Sequence, residues 1–226
     1  MKKIITIMAL MFSMNLMADI LPGAFFVKTE ATVYNNQDYD KLDKDTMKYL
    51  LKSVDEKEYG VFAGFEMQVD RDMPHFWMDA SIGLKHKGTA NSAVFTGHVI
   101  YKVNKFSNFY VGGYFGIGRD KSDHNQIYVD AVDATGTKTK VALNYDSTPV
   151  FYTSAFELGG NFTVYENLTI DIKLQLDRKN YEFKMKANEG ALDGLDYNSL
   201  LNILALENAS VAMNSDNIVI GINYKF

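Results

Sequence analysis

The stretch LTIDIKLQL, residues 168–176, alternates without a break. Leu168, Ile170, Ile172, Leu174 and Leu176 fall on one side of an extended chain, and Thr169, Asp171, Lys173 and Gln175 fall on the other. A helix would scatter the two sets around its axis, whereas a strand points successive side chains to opposite faces and separates them. One face is wholly aliphatic and the other carries both signs of charge, so the two faces meet different surroundings.

Seven further runs repeat the period. Residues 25–34 set Phe25, Val27, Ala31 and Val33 against Lys28, Glu30 and Thr32. Residues 59–70 set Val61, Phe65 and Met67 against Glu66 and Gln68, and 76–85 set Met78, Ile82 and Leu84 against Asp79, Ser81 and Lys85. In 93–103, Phe95, Val99 and Tyr101 oppose Thr96, His98 and Lys102. The run FYVGGYFGIG, 109–118, places Phe109, Val111, Phe115 and Ile117 opposite Tyr110, Gly112, Tyr114 and Gly116. Residues 150–164 alternate Phe156, Leu158 and Phe162 with Glu157, Asn161 and Thr163. The last run, 218–226, alternates Ile218, Ile220, Ile222, Tyr224 and Phe226 with Val219, Asn223 and Lys225. Each is long enough to cross a bilayer as a tilted strand.

Alternation also fits a soluble sandwich with one wet face. The connections separate the two. Residues 71–75, 104–108 and 165–167 are short links, and 35–58, 86–92, 119–149 and 177–217 are long ones, in strict alternation. Short turns on the side of both termini and long loops opposite are the pattern of an eight-stranded transmembrane barrel. In lipid the apolar face points outward, so the charges line the lumen. They are Lys28, Lys85, Lys102, Lys173 and Lys225 with Glu30, Glu66, Asp79, Glu157 and Asp171, five of each sign, joined by His98. Eight strands leave a lumen that side chains fill, and a balanced set can pair there. Aromatics gather near the short turns (Phe25, Phe76, Trp77, Tyr101, Phe106, Phe109, Tyr165, Tyr224, Phe226), as an interfacial girdle requires. Residues 127–145 read as a hairpin turning at 134–137, which either rises above the barrel or supplies two more spans and makes ten strands.

FYVGGYFGIG at 109–118 and the ending IVIGINYKF at 218–226 resemble the OmpA/OmpX-like family of small outer-membrane barrels. The resemblance implies an all-β, antiparallel up-and-down barrel in the bacterial outer membrane. It also implies that Tyr224 and Phe226, on the terminal strand, are read by the outer-membrane assembly machinery. Outer-membrane lipid and lipopolysaccharide are then the surrounding partners. Larger relatives add a periplasmic peptidoglycan-binding domain, and none is expected here, since the run ends at Phe226.

The remaining composition narrows the function. Lys2 and Lys3, the apolar IITIMALMF at 4–12 and Ala18 before Asp19 predict a signal peptide over 1–18, leaving 19–226 as the barrel. There is no cysteine, which excludes lipoprotein acylation and disulfides. A net charge of −5 argues against nucleic acid as a partner. No serine stands beside His98 in sequence to suggest a hydrolase, and Asp120, Asp123 and His124 read as solvated loop charge rather than a metal site. No cofactor is expected. Two loop segments look helical: 45–57, with Leu50 and Leu51 on its apolar face, and 196–207, with Leu200, Leu201 and Leu204. They dock on the barrel mouth or present an apolar patch to a surface partner. The expectation is a non-enzymatic barrel with a charge-plugged lumen and an envelope-structural or adhesin-like role. A small pore, or a passage for hydrophobic solutes, is the alternative.

Overall fold

The computed structural model describes residues 22–40, 44–122, 124–188, 190–207 and 210–226. The expected signal peptide at 1–18 lies outside them. Eight strands close a barrel in the order β1 (Gly23–Tyr39), β11 (Ser210–Lys225), β9 (Leu168–Glu182), β8 (Val150–Tyr165), β5 (Ser107–Arg119), β4 (Ala90–Lys102), β3 (Phe76–Lys87) and β2 (Glu58–Gln68), with β2 returning to β1. Every pairing is antiparallel. The fold is thus the all-β, eight-stranded up-and-down barrel, and no barrel strand keeps an unpaired edge over its central length.

Register explains the two faces. Directly paired residues share a side, so Val61, Leu84, Ala93, Ile117 and Tyr152 form one outward row, and Ala63, Ile82, Phe95 and Phe115 form the next. The outward side chains are mainly apolar, Thr29 apart, from the short turns up to Leu84, Leu176 and Ile218. Phe76, Tyr101, Phe109, Tyr165 and Tyr224 ring the short-turn end, and Tyr34, Tyr59 and Tyr152 stand exposed toward the other. Above Leu176 and Ile218 the same outward positions carry Arg178, Asn180, Glu182, Asp216 and Asn214. The strands therefore continue past the lipid into water.

On that far side the loops build a second body. β6 (Gln126–Val132), β7 (Lys138–Asn144) and the short β10 (Lys186–Ala187) form a separate three-stranded sheet. The hairpin at 127–145 is therefore not a pair of spans, and the ten-stranded alternative is overturned. Helices α1 (Lys44–Leu50) and α2 (Tyr197–Leu206) join it. The start of α2 is fixed by Asp196, whose side chain accepts from the Ser199 backbone N–H, while Ser199 Oγ accepts from Val132 N of β6. Met47, Leu50, Leu51, Leu143, Phe183, Met185 and Ile203 pack with Phe151, Tyr181 and Met213 from the strand ends into one apolar core. This cap sits over the barrel mouth.

Two sequence expectations are corrected here. The link 86–92, read as a long loop, is a two-residue turn of Gly88 and Thr89, since Lys87 already pairs with Ala90. Gly88 supplies the left-handed φ of 56° that so tight a hairpin needs. Leu50 and Leu51, read as surface candidates, are fully buried in the cap core. They complete a hydrophobic interior and have no face left for a partner.

Candidate functional site

The alternation carries all eleven predicted lumen residues to the inside, where they join in tiers. At the centre, His98 on β4 lies between two carboxylates, with Nδ1 2.7 Å from Asp79 Oδ1 and Nε2 2.7 Å from Glu157 Oε2. An ionised carboxylate only accepts, so the ring donates toward whichever of the two is charged, and the roles of its nitrogens follow its protonation. The second oxygen of Glu157 takes Lys173 Nζ at 2.6 Å, and Lys173 reaches Glu30 at 2.8 Å. Lys28 lies 3.5 Å from Glu30 and 3.6 Å from Asp171, whose other oxygen accepts from Tyr110 Oη at 2.6 Å. Six strands (β1, β3, β4, β5, β8 and β9) thus meet in one net of charge-assisted bonds, each stronger than a neutral pair.

Toward the short turns, Glu66 accepts from Lys102 at 2.9 Å and from Lys225 at 2.7 Å. Lys102 also stands 3.1 Å above the Trp77 ring, whose Nε1 donates to Pro74 O. Toward the cap, Glu58 pairs with Lys85 and Lys179, and Lys85 donates to Tyr114 Oη at 3.0 Å. Phe62, Val94 and Tyr114 pack between these tiers. Sequence reasoning missed Glu58, Lys87, Asp177 and Lys179, all buried at the outer rim. With them the inward charges become seven lysines (28, 85, 87, 102, 173, 179, 225) and seven carboxylates (30, 58, 66, 79, 157, 171, 177). The signal was there, since 177, 179 and 181 continue the inward parity of 171, 173 and 175.

The other predicted residues separate. Tyr224 and Phe226 stand exposed at the end of β11 with rings 5.0 Å apart, while Lys225 between them points inward. On α2, Leu201 and Leu204 face solvent beside Tyr197, which is 73% exposed, and Leu200 is half-buried. Asp123 lies outside the described residues. Asp120 is buried at the base of the cap, accepting from Ser53 Oγ, Thr89 Oγ1 and the Lys121 backbone N–H, and burial pushes its carboxyl above the usual range. Among the described residues no group of three or more histidines and carboxylates is placed to hold a metal ion.

An even-stranded antiparallel barrel with an apolar coat, aromatic girdles and a polar interior is the architecture of the bacterial outer membrane, and that is where this chain resides. No family model matches the chain, and no curated protein matches it. Among solved structures it is similar to Ail, the attachment invasion locus protein of Yersinia pestis, at 12% identity, covering 90% of this chain and 97% of that one, with a TM-score of 0.39. It is similar to Neisserial surface protein A at 11% identity, 89% and 97% coverage and a TM-score of 0.39. A de novo designed transmembrane β-barrel gives 15% identity, 91% and 97% coverage and a TM-score of 0.38.

Proposed function

We propose that this protein is a non-enzymatic outer-membrane barrel whose lumen is sealed by ion pairs and whose outer cap does its work, as an envelope-structural element or a surface contact. The observation that carries the reading is Glu157. Its carboxylate is fully buried and holds His98 on one oxygen and Lys173 on the other, tying β4, β8 and β9 across the bore. An ion entering that tier would have to displace charge-assisted bonds already made in a poorly solvated space. The cap core adds a second, apolar closure above it. The solvent-facing side of α2, with Tyr197, Leu201 and Leu204, is the part of the cap suited to a surface partner. Tyr224 and Phe226 are the residues offered to the assembly machinery.

Planar-bilayer recording tests the seal. The unmutated protein should give no steady channels, and Glu66→Ala or Lys85→Ala should introduce leak. Well-defined conductance from the unmutated protein would reject the sealed lumen and establish the small-pore reading instead.

A further inference from the structure

The wall of the barrel has a lateral gap. β1 pairs with β2 only as far as Ala31 opposite Tyr59, yet it pairs with β11 up to Tyr39 opposite Met213. From residue 32 outward, the β2-side edge of β1 therefore has no strand partner, and alternate backbone N–H and C=O groups face the gap. A bulge between Thr32 and Tyr34 lies at this point, leaving Val33 unpaired and turning Tyr34 outward. Residues 54–57 run along the other side. Between them is a groove of about 230 Å³, lined by Tyr34, Asn36, Gln37, Lys44, Asp55 and Lys57 among others.

Three observations define what fits. Gln37 Nε2 is buried at the groove and donates to nothing among the described residues, although its Oε1 accepts from Tyr39 Oη. A buried amide left without an acceptor is unfavourable, and a ligand oxygen would satisfy it. Next, the charges are mixed. Asp55 is already held by Lys48 at 2.7 Å and Lys44 at 3.8 Å, whereas Lys57 makes no ion pair among the described residues. A bare phosphate would meet the Asp55 and Glu56 carboxylates, and a neutral sugar would leave Lys57 unused. A phosphorylated sugar suits both, its hydroxyls toward the carboxylates and Gln37 and its phosphate toward Lys57. The height of the groove then selects the source. Tyr34 pairs with Ile218, the last lipid-facing aliphatic of β11 before Asp216 and Asn214, so the groove opens where acyl chains give way to headgroups.

We propose that this gap binds the phosphorylated sugar headgroup of a glycolipid in the outer leaflet. The site deepens the membrane partnership expected of the barrel. It rests on the outer-membrane placement and not on the sealed lumen, so a conducting barrel that still held the lipid would reject the seal alone. One monosaccharide-sized unit is what the volume admits, with its acyl chains lying down the apolar wall of Val33 and Val61.

The test uses the mature chain in phosphatidylcholine nanodiscs doped with a bis-phosphorylated glucosamine disaccharide lipid. Native mass spectrometry should find that lipid retained on the barrel in preference to phosphatidylcholine. Lys57→Ala, which removes the phosphate's cation, and separately Gln37→Leu, which removes a hydroxyl's donor, should each weaken retention about tenfold, the size of one lost hydrogen bond. Lys105→Ala, at the opposite rim, should change nothing. Resistance of the unheated protein to detergent unfolding checks that each variant remains a barrel. Retention that is absent, or unaltered in both groove variants, would overturn the site. Equal binding of water-soluble glucosamine phosphate in undoped discs would overturn the lipid source.

Discussion

The barrel and its cap are built from one chain with opposite interiors. In the barrel, Glu157, Lys173, His98 and Asp171 lie inside, and Ile170, Ile172 and Leu174 lie outside. In the cap, Leu51, Leu143, Phe183 and Ile203 lie inside, and the outward residues are mainly polar. The boundary falls within single strands: β9 has lipid-facing Leu176 and, two residues on, water-facing Arg178. The difference teaches that burial has no fixed chemistry. Each half hides from its solvent whatever that solvent accommodates poorly, and a strand crossing the boundary changes its rule mid-course.

The lumen should give the largest effect when its pairing is broken. Glu157→Ala leaves His98 with one carboxylate and Lys173 with Glu30 alone, so it should destabilise the barrel by about 3–5 kcal/mol in urea unfolding from vesicles. An undiminished midpoint would mean the lumen is hydrated and its charges need no partners. The cap should answer to volume instead. Leu51→Ala removes buried methyl groups from the apolar core and should cost about 3 kcal/mol of cap stability. The cap loops should become protease-sensitive while the unheated barrel still resists detergent. If barrel and cap melt together, they are one cooperative unit and the contrast between them is only descriptive.

The outer wall locates the boundary itself. Ile172, 45% exposed at mid-strand, should lose about 2–3 kcal/mol on replacement by arginine. Asn180→Arg, on the same strand and the same side, should be close to neutral because it lies in water. Equal penalties at the two positions would move the membrane outward over the cap.

These contrasts also show what could be read from residues alone. Runs such as 168–176 and 218–226 were legible because lipid demands an aliphatic face and the lumen a polar one. The outer half of β9 was not, since Asp177 and Lys179 point inward while Arg178 and Asn180 point outward, and with both faces polar the periodic contrast vanishes. Asp177 and Lys179 were lost to loops for that reason. Residues 127–145 were readable as a hairpin above the barrel, but the pattern alone left two further spans open as the rival. A cap sheet with one apolar face alternates as well as a barrel strand does, and period alone does not say which solvent covers it. The leucines of 45–57 showed a helix face, but what covers it, Tyr145 and Met185 among others, comes from distant sequence.

The smallest expected effect distinguishes the cap's interior from its surface by pH. Burial raises the Asp120 carboxyl, against the hydrogen bonds from Ser53, Thr89 and the Lys121 backbone. The folded cap therefore binds that proton more tightly than the unfolded chain does. Its contribution is fully present below the ordinary aspartate value and is lost as pH rises through the raised one. Asp55, held low by the Lys48 ammonium, and Asp146, held low by Thr148, behave oppositely: their contributions are lost as pH falls below the usual carboxylate range. The two sets act in separate windows, so a protease-resistance profile of the cap should pass through a maximum in mild acid and decline slightly toward neutrality. Asp120→Asn should flatten the decline on the neutral side and leave the acid side unchanged. A profile that rises steadily to neutral pH, or one that Asp120→Asn leaves intact, would mean that Asp120 is hydrated and that the base of the cap is open to water.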